Sequence, residues 1–151
     1  MSHVADVQLQ VTDLAALKQS VEKMGGTFVE GQRTFKWYGR FLNDWSSSRA
    51  AVNRISPENF GKCEHAIKVP GVGYEIGVIK HPSGTGYELI FDQFGEGKKL
   101  EAWLGGENYG RVKQNYGAVV ATRQLARKGY RVTTTTTPGG GIRISAIPLP
   151  T

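Results

Sequence analysis

The residues best suited to chemistry in this chain form a mixed basic and aromatic segment between Arg33 and Arg49. Cationic side chains neutralise phosphates and aromatic rings stack on bases, and proteins that bind single-stranded nucleic acid use both together. We therefore predict a surface that binds nucleic acid or an acidic protein and that includes Arg33, Lys36, Trp37, Arg40, Trp45 and Arg49. Aromatic residues of a strand also pack in cores, and this alternative stays open. Trp45, which has polar neighbours, is the aromatic residue that we most expect to be exposed.

Two further candidate binding residues, Arg123 and Arg127, lie on a predicted helix over residues 108–128. At 100° per residue, Arg123 falls within an apolar face and Arg127 lies beside it. That face consists of Tyr109, Val112, Tyr116, Val119 and Val120. The stem of an arginine can pack among apolar side chains, but its charged head requires a partner. We expect the partner to be an internal carboxylate such as Asp92, with an anionic ligand as the alternative.

Cysteine and histidine do not form a recognisable catalytic or metal-binding pattern. Cys63 and His65 would share one face of a strand, but a nucleophile and its base must touch and need a third group to orient the base. His3 and His81 add two possible ligands, and the spacings match no known zinc-ligand pattern. We therefore predict no catalytic residue, no metal ligand and no cofactor, and we expect a binding protein in preference to an enzyme.

Two carboxylates and a glycine-rich stretch complete the residues that could do chemistry. Glu88 and Asp92 would lie on one side of a strand, where we expect a solvated face or a counter-charge for Arg123. The stretch Gly95–Gly106 contains two lysines but lacks the spacing of a phosphate-binding loop. We interpret it as a flexible connection.

An alternative function rests on a resemblance at two places in the chain. The start HVADVQLQVTDLAAL (residues 3–17) and the later GYELIF (residues 86–91) are similar to a half-module of metal-dependent glyoxalases and dioxygenases. That superfamily places a histidine and a glutamate on strands, and the resemblance would assign these roles to His3 and Glu88. The alternative is thus a metal-dependent enzyme of glyoxalase/dioxygenase-like type.

Alternating and helical patterns predict the elements that position these residues. Strands are predicted at Val4–Val11, Thr27–Tyr38, Glu64–Val69, Tyr74–Lys80 and Tyr87–Phe91, with a last hairpin of Tyr130–Thr137 and Gly141–Ile147. One helix follows Thr12-Asp13 and ends at Gly25-Gly26, and the other covers residues 108–128. We predict one α+β domain over residues 1–151: an antiparallel sheet of five to seven strands with two helices on one face, in β-α-β…β-α-β order. An irregular insertion covers about residues 40–62.

Composition narrows the function classes. The chain has 151 residues with 39% hydrophobic content and one cysteine, which excludes an internal disulfide. No apolar run approaches the length of a membrane span, and the N-terminus lacks the pattern of a secretory signal, so we expect a cytoplasmic protein without membrane contact. The net charge of +6 concentrates in residues 33–62 and 111–131, which favours a polyanionic partner. An unpaired edge strand of either hairpin could form a homodimer.

Four segments resemble one family. They are the MSH start with its DLAAL helix, GYEIG at residues 73–77, YELIFD at residues 87–92, and QNYGAVVATRQLARKGYRV running into GGGIRI. They are similar to the domain of unknown function twelve-fifty-seven, also called hypothetical chloroplast reading frame thirty-five, which occurs in cyanobacteria, plastids and some phages. The resemblance implies the architecture and no reaction, and the insertion at about residues 40–62 departs from it. It is compatible with a phage-encoded accessory or host-modulating factor.

Overall fold

Five antiparallel strands form the main sheet of the protein, in the order β1-β5-β4-β3-β2. The computed structural model describes residues 4–37 and 61–150. The strands of the sheet are β1 (Val4–Val11), β2 (Thr27–Glu30), β3 (His65–Lys68), β4 (Glu75–Lys80) and β5 (Tyr87–Asp92). The α+β antiparallel fold predicted from the sequence is therefore confirmed, and the two strands of the central hairpin, β4 and β5, lie inside the sheet and not at its edges.

Three helices accompany the strands in the described residues: α1 (Leu14–Lys23), α2 (Gly97–Leu104) and α3 (Gly110–Arg127). The prediction of two helices therefore missed α2. The helix α1 begins after Thr12-Asp13 as predicted, and Asp13 is the residue of this pair that caps it, because its Oδ1 accepts a hydrogen bond from the Ala16 amide at 3.0 Å. No helix among the described residues is both long enough and apolar enough for a membrane crossing.

The additional helix, α2, lies where we expected a flexible glycine-rich connection, and that prediction was wrong. Leu100 and Leu104 are spaced by one helical turn and are fully buried in the core, which gives this short segment a reason to be helical. The glycines that suggested a loop flank the helix. Gly95 and Gly105 have φ angles of 61° and 113°, a region that favours glycine, so the chain enters and leaves α2 without strain.

The first face of the sheet packs against the helices. Leu89 and Phe91 of β5 lie beside Val7 of β1 and Val78 of β4 on this face, and all four are fully buried in the main core. The intervening side chains point to the opposite face, because side chains alternate along a strand. Both faces are nevertheless buried in the central strands, as Ile90 is 1% exposed.

A short extended segment, which begins after β2, crosses the second face of the sheet. The predicted strand over residues 27–38 ends at Glu30, because Gly31 turns the chain with a φ angle of 75°. The chain then pairs with residues 61–63 and places the buried ring of Phe35 over Gly77, where a Cβ would overlap the ring. Buried Glu75 holds this segment, since its Oε1 accepts hydrogen bonds from the Lys36 amide at 2.9 Å and from Gln32 Nε2 at 3.0 Å.

The C-terminal ribbon is a separate two-stranded sheet of β6 (Tyr130–Thr136) and β7 (Ile142–Pro148). Seven residue pairs join its strands without a register shift, from Tyr130–Pro148 at the base to Thr136–Ile142 beside the turn. The ribbon packs along α3 and does not join the main sheet. Both of its long edges therefore carry backbone groups that no strand of the main sheet pairs.

Candidate nucleic-acid interface

The structure describes only the first part, up to Trp37, of the basic and aromatic segment predicted from the sequence. Arg33 is exposed and forms an ion pair with Glu64, so its charge is compensated within the protein. Lys36 is exposed, and Trp37 is half-buried against Gly61. Arg40, Trp45 and Arg49 lie outside the described residues. The structure therefore places three of the six predicted residues, and one of those three has an internal partner.

Arg123 has the internal carboxylate partner that we predicted, but the partner is Asp13 and not Asp92. Its Nε donates a hydrogen bond to Asp13 Oδ2 at 3.0 Å. The expectation of Asp92 was wrong because Asp92 points to the second face of the sheet, whereas α3 lies on the first. Asp92 Oδ1 instead accepts a hydrogen bond from the Phe94 amide at 2.9 Å.

The electrostatic environment of Asp13 explains why it suits Arg123. The Ala16 amide, which donates to this carboxylate, holds the pKa of Asp13 below its ordinary value, and the Arg123 guanidinium lowers that pKa further. Arg127 lies close enough to add to the effect, although it is exposed. The ion pair thus joins the start of α1 to α3, and Arg123 contributes to the fold more than to an open binding surface.

The two predicted sets of binding residues lie on opposite sides of the main sheet. Arg33, Lys36 and Trp37 belong to the segment that crosses the second face. Arg123 and Arg127 belong to α3, which packs on the first face. The described residues of the two sets therefore do not form one continuous surface.

Cys63 and His65 each have a separate backbone partner. The thiol of Cys63 donates to the carbonyl oxygen of Gln32 at 3.1 Å, and His65 Nδ1 accepts a hydrogen bond from the Gly31 amide at 3.0 Å. Burial raises the pKa of the Cys63 thiol to about 11, so it is protonated at neutral pH and a poor nucleophile. Both groups therefore stabilise the turn that follows β2, through the backbone of Gly31 and Gln32.

The carboxylates of the central hairpin are buried, which corrects the expectation of a solvated face. Glu88 is 5% exposed and Asp92 is fully buried, and Asp6 of β1 lies between them on the second face, opposite Ile90. The reason is that the second face of the sheet is covered, which alternation along one strand does not reveal. In residues 4–37 and 61–150, no three histidine, cysteine or acidic side chains are grouped closely enough to hold a metal ion.

A larger basic surface than the pair predicted on α3 lies at the C-terminal end of the chain. After Glu107 the remaining 44 residues contain seven basic side chains and no acidic one, whereas the first 107 contain 12 basic and 13 acidic side chains. The whole positive excess therefore belongs to α3, the C-terminal ribbon and their flanks. Five of the seven are exposed, and none of these five forms a salt bridge within the described residues: Arg111, Arg127, Lys128, Arg131 and Arg143.

The outer face of the C-terminal ribbon carries part of this charge in a regular array. Three cross-strand pairs point away from α3: Arg131 with Ile147, Thr133 with Ser145, and Thr135 with Arg143. All six residues are exposed. The inner face instead presents half-buried Tyr130, Val132, Ile142 and Ile144, which anchor the ribbon on α3. The outer face thus carries hydroxyl side chains at its centre and one arginine at each of two opposite corners.

A groove beside the ribbon extends the positive surface. It has a volume of about 440 Å³ and runs between the end of α1, the first half of α3 and the ribbon turn, with Lys23, Arg111 and Thr136 among its lining residues and no acidic residue. Arg111 donates to the carbonyl oxygens of Trp103 at 3.2 Å and Met24 at 3.1 Å, and its guanidinium lies over the Trp103 ring. These carbonyl oxygens accept two of its hydrogen bonds but leave its full charge in place.

Two signals in the sequence could have identified this surface. The first is the absence of acidic residues after Glu107, of which our prediction used only the part between residues 111 and 131. The second is the period-two placement of polar residues in the ribbon, Arg131-Thr133-Thr135 and Arg143-Ser145, which indicates one polar face.

Comparisons with models of protein families, with curated proteins and with solved structures found no match to this chain.

Proposed function

We propose that this protein is a non-enzymatic nucleic-acid-binding protein that acts through the basic surface of its C-terminal third. The observation that carries the proposal is a set of four exposed cations, Arg127, Lys128, Arg131 and Arg143, with no salt bridge to them among the described residues. Cations that make no salt bridge can neutralise phosphates, and release of the counterions from those phosphates drives binding. The candidates Arg33, Lys36 and Trp37 lie on the other side of the sheet and are not part of this surface.

A polyanion suits this surface better than an acidic protein does. Protein interfaces depend on a few large anchors, mainly Trp, Tyr and Arg, seated in desolvated pockets. On the outer face of the ribbon the apolar member is Ile147, which is 63% exposed, and the remaining five side chains are arginines or small hydroxyl residues. Arginine, serine and threonine are side chains with which proteins contact phosphate oxygens. The chemistry of the surface therefore favours a regular array of phosphates.

Salt dependence of binding tests the proposal. Affinity for a labelled oligonucleotide, measured by fluorescence anisotropy between about 0.05 and 0.2 M salt, should fall by orders of magnitude if several phosphates are contacted. The double substitution Arg127→Gln/Lys128→Gln should reduce the slope of log affinity against log salt by about one for each phosphate that is no longer neutralised. An affinity that does not change with salt would overturn the proposal.

A matched control separates the C-terminal surface from general charge. Lys80 and Lys98 are also exposed, but they lie on β4 and α2, away from the C-terminal ribbon. Lys80→Gln/Lys98→Gln removes the same two charges and should leave the slope nearly unchanged. Equal effects of the two double substitutions would mean that net charge acts alone, without a defined surface.

A further inference from the structure

We infer that the outer face of the C-terminal ribbon enters the major groove of double-stranded B-form DNA. This inference rests on the proposed function and goes beyond it, because it names the form of nucleic acid and the residues that contact it. Nucleic-acid binding through α3 alone would satisfy the proposed function without this inference.

The dimensions of the ribbon fit that groove. The major groove of B-DNA is about 12 Å wide and admits a two-stranded antiparallel ribbon. The strands of such a ribbon are about 4.8 Å apart, so its backbone with short side chains enters the groove without collision. Arg131 and Arg143 occupy opposite corners of the outer face, four residues apart along the ribbon in the register of the seven pairs. At about 3.4 Å per residue, they are separated by about 14 Å, so they can address groups at two levels of the groove.

The chemistry of the outer face also fits a groove floor. Arginine makes bidentate hydrogen bonds to guanine, and serine and threonine hydroxyls bond to several base edges. The centre of the face is the pair Thr133–Ser145, whose small side chains allow close approach to the bases. Ile147 supplies an apolar contact of the kind that the methyl group of thymine accepts.

The absence of aromatic residues from this face argues against single strands. Sequence-tolerant binding of single-stranded nucleic acid depends on aromatic rings on which bases stack. The one tyrosine of the ribbon, Tyr130, lies on the inner face and is half-buried against α3. The major groove of double-stranded RNA is deep and narrow, and side chains cannot read it. The outer face therefore favours duplex DNA over both single strands and duplex RNA.

The ribbon is held firmly enough to bind as a preformed unit. Its inner face packs on α3, and its turn is closed by hydrogen bonds from the Thr137 amide to the Gly141 carbonyl at 2.8 Å and from the Gly141 amide to Thr137 Oγ1 at 2.9 Å. Little conformational freedom of the backbone remains to be lost on binding, which preserves affinity.

The affinities of the full-length protein for three nucleic acids of one sequence test the inference. The probes are a duplex DNA of about 20 base pairs, the matching duplex RNA and one DNA strand alone, each titrated by anisotropy at about 0.15 M salt. We expect the duplex DNA to bind about tenfold more tightly than either of the others. Equal or tighter binding of the single strand or of duplex RNA would overturn the inference, although the proposed function would stand. Absence of salt-dependent binding to all three would overturn the proposed function itself.

Substitutions in the ribbon test which residues make the contact. Arg131→Gln/Arg143→Gln should weaken duplex binding about tenfold or more, because each bidentate contact to guanine has a large effect on affinity. Arg131→Lys/Arg143→Lys keeps the charge and should restore the salt slope but not the full affinity for the duplex, because lysine cannot make the bidentate contact to guanine. All these positions are exposed, so thermal unfolding should be unchanged. Ser145→Asp, which puts a negative charge at the centre of the face, should also weaken duplex binding. If these variants bind duplex DNA like the wild type, the contact does not involve the ribbon.

Discussion

The central hairpin and the C-terminal ribbon are built alike and are used differently. Each is a pair of antiparallel strands joined by a short turn that contains proline and glycine. The central hairpin, β4–β5, lies inside the sheet and is buried on both faces, whereas the ribbon, β6–β7, rests on α3 and leaves its outer face in solvent. The comparison shows that the neighbours of a hairpin, and not its local sequence, decide whether its polar side chains serve folding or binding.

The charges of the two regions follow their surroundings. The central hairpin carries three buried carboxylates, Glu75, Glu88 and Asp92. A buried charge must be satisfied by partners, as Glu75 is by Lys36 and Gln32, so these groups are committed to the fold. The ribbon carries no carboxylate, and its arginines lie in solvent without salt bridges to other described residues. The arginines of the ribbon are therefore available to a partner, whereas the buried carboxylates of the hairpin are not.

The largest expected difference between the two regions concerns their apolar side chains. Leu89→Ala in the central hairpin should lower the free energy of unfolding by about 3 kcal/mol, because Leu89 is fully buried and the substitution leaves a cavity. Ile147→Ala in the ribbon should change it by less than about 0.5 kcal/mol. Urea unfolding followed by circular dichroism measures both. Similar decreases at the two positions would show that the ribbon is covered in solution.

A second contrast concerns glycines next to the two regions. Gly97 follows β5, and a Cβ there would overlap the carbonyl oxygen of Asp92, so Gly97→Ala should destabilise the protein by about 2 kcal/mol. Gly117 lies on the exposed side of α3 with open space around its Cα, so Gly117→Ala should stabilise by about 0.5 to 1 kcal/mol through its higher helix propensity. Thermal melts of the two variants should move in opposite directions. Shifts in the same direction would contradict the packing around α2 or α3.

The third contrast separates an arginine of the fold from an arginine of the surface. Arg123→Gln should cost about 1 kcal/mol, because it removes a partly buried ion pair with Asp13. Arg131→Gln should change stability by less than about 0.5 kcal/mol. In an Asp13→Asn background, which keeps a side chain able to cap α1, the cost of Arg123→Gln should shrink. An unchanged cost in that background would mean that Asp13 is not the partner of Arg123.

The smallest expected effect is a dependence of stability on pH that arises from Asp13. Its pKa is lowered in the folded protein, chiefly by the Ala16 amide and then by Arg123, so the folded state binds this proton less readily than the unfolded state. The resulting stabilisation is present above the ordinary aspartate pKa of about 3.9 and is lost as the pH falls through the lowered pKa. Wild type and Asp13→Asn should therefore converge in stability between about pH 5 and about pH 2. A difference in stability between the two proteins that stays constant over this range would show that the lowered pKa of Asp13 is not the cause.

Local patterns predicted most elements of the fold. The alternation from Val4 to Val11 predicted β1 with its observed bounds, and the pair Thr12-Asp13, which includes the observed cap Asp13, predicted the start of α1. The ribbon differs from its predicted strands by one residue at three of its four strand ends. Period and capping depend on interactions within a few residues, so the sequence contains them directly.

The candidate site was less accessible to sequence reasoning. Arg127 was predicted and is exposed, but Arg131 and Arg143 were not predicted. Their period-two pattern indicates a polar face, but it does not show whether another element covers that face. Leu100 and Leu104 were assigned to a loop because the flanking glycines outweighed a helical pattern only two turns long. In each case the missing information was which other element lies opposite.

The sequence by itself determined the types of most elements, the antiparallel pairing of the hairpins and the excess of positive charge after Glu107. Tertiary structure alone decided that Glu88 and Asp92 are buried, that Arg123 pairs with Asp13, and that Arg131 and Arg143 share one open face. The physical reason is the separation along the chain over which each interaction acts. Propensity and period act over a few residues, whereas burial and charge pairing depend on surfaces that the chain brings together across more than a hundred residues, as between Asp13 and Arg123.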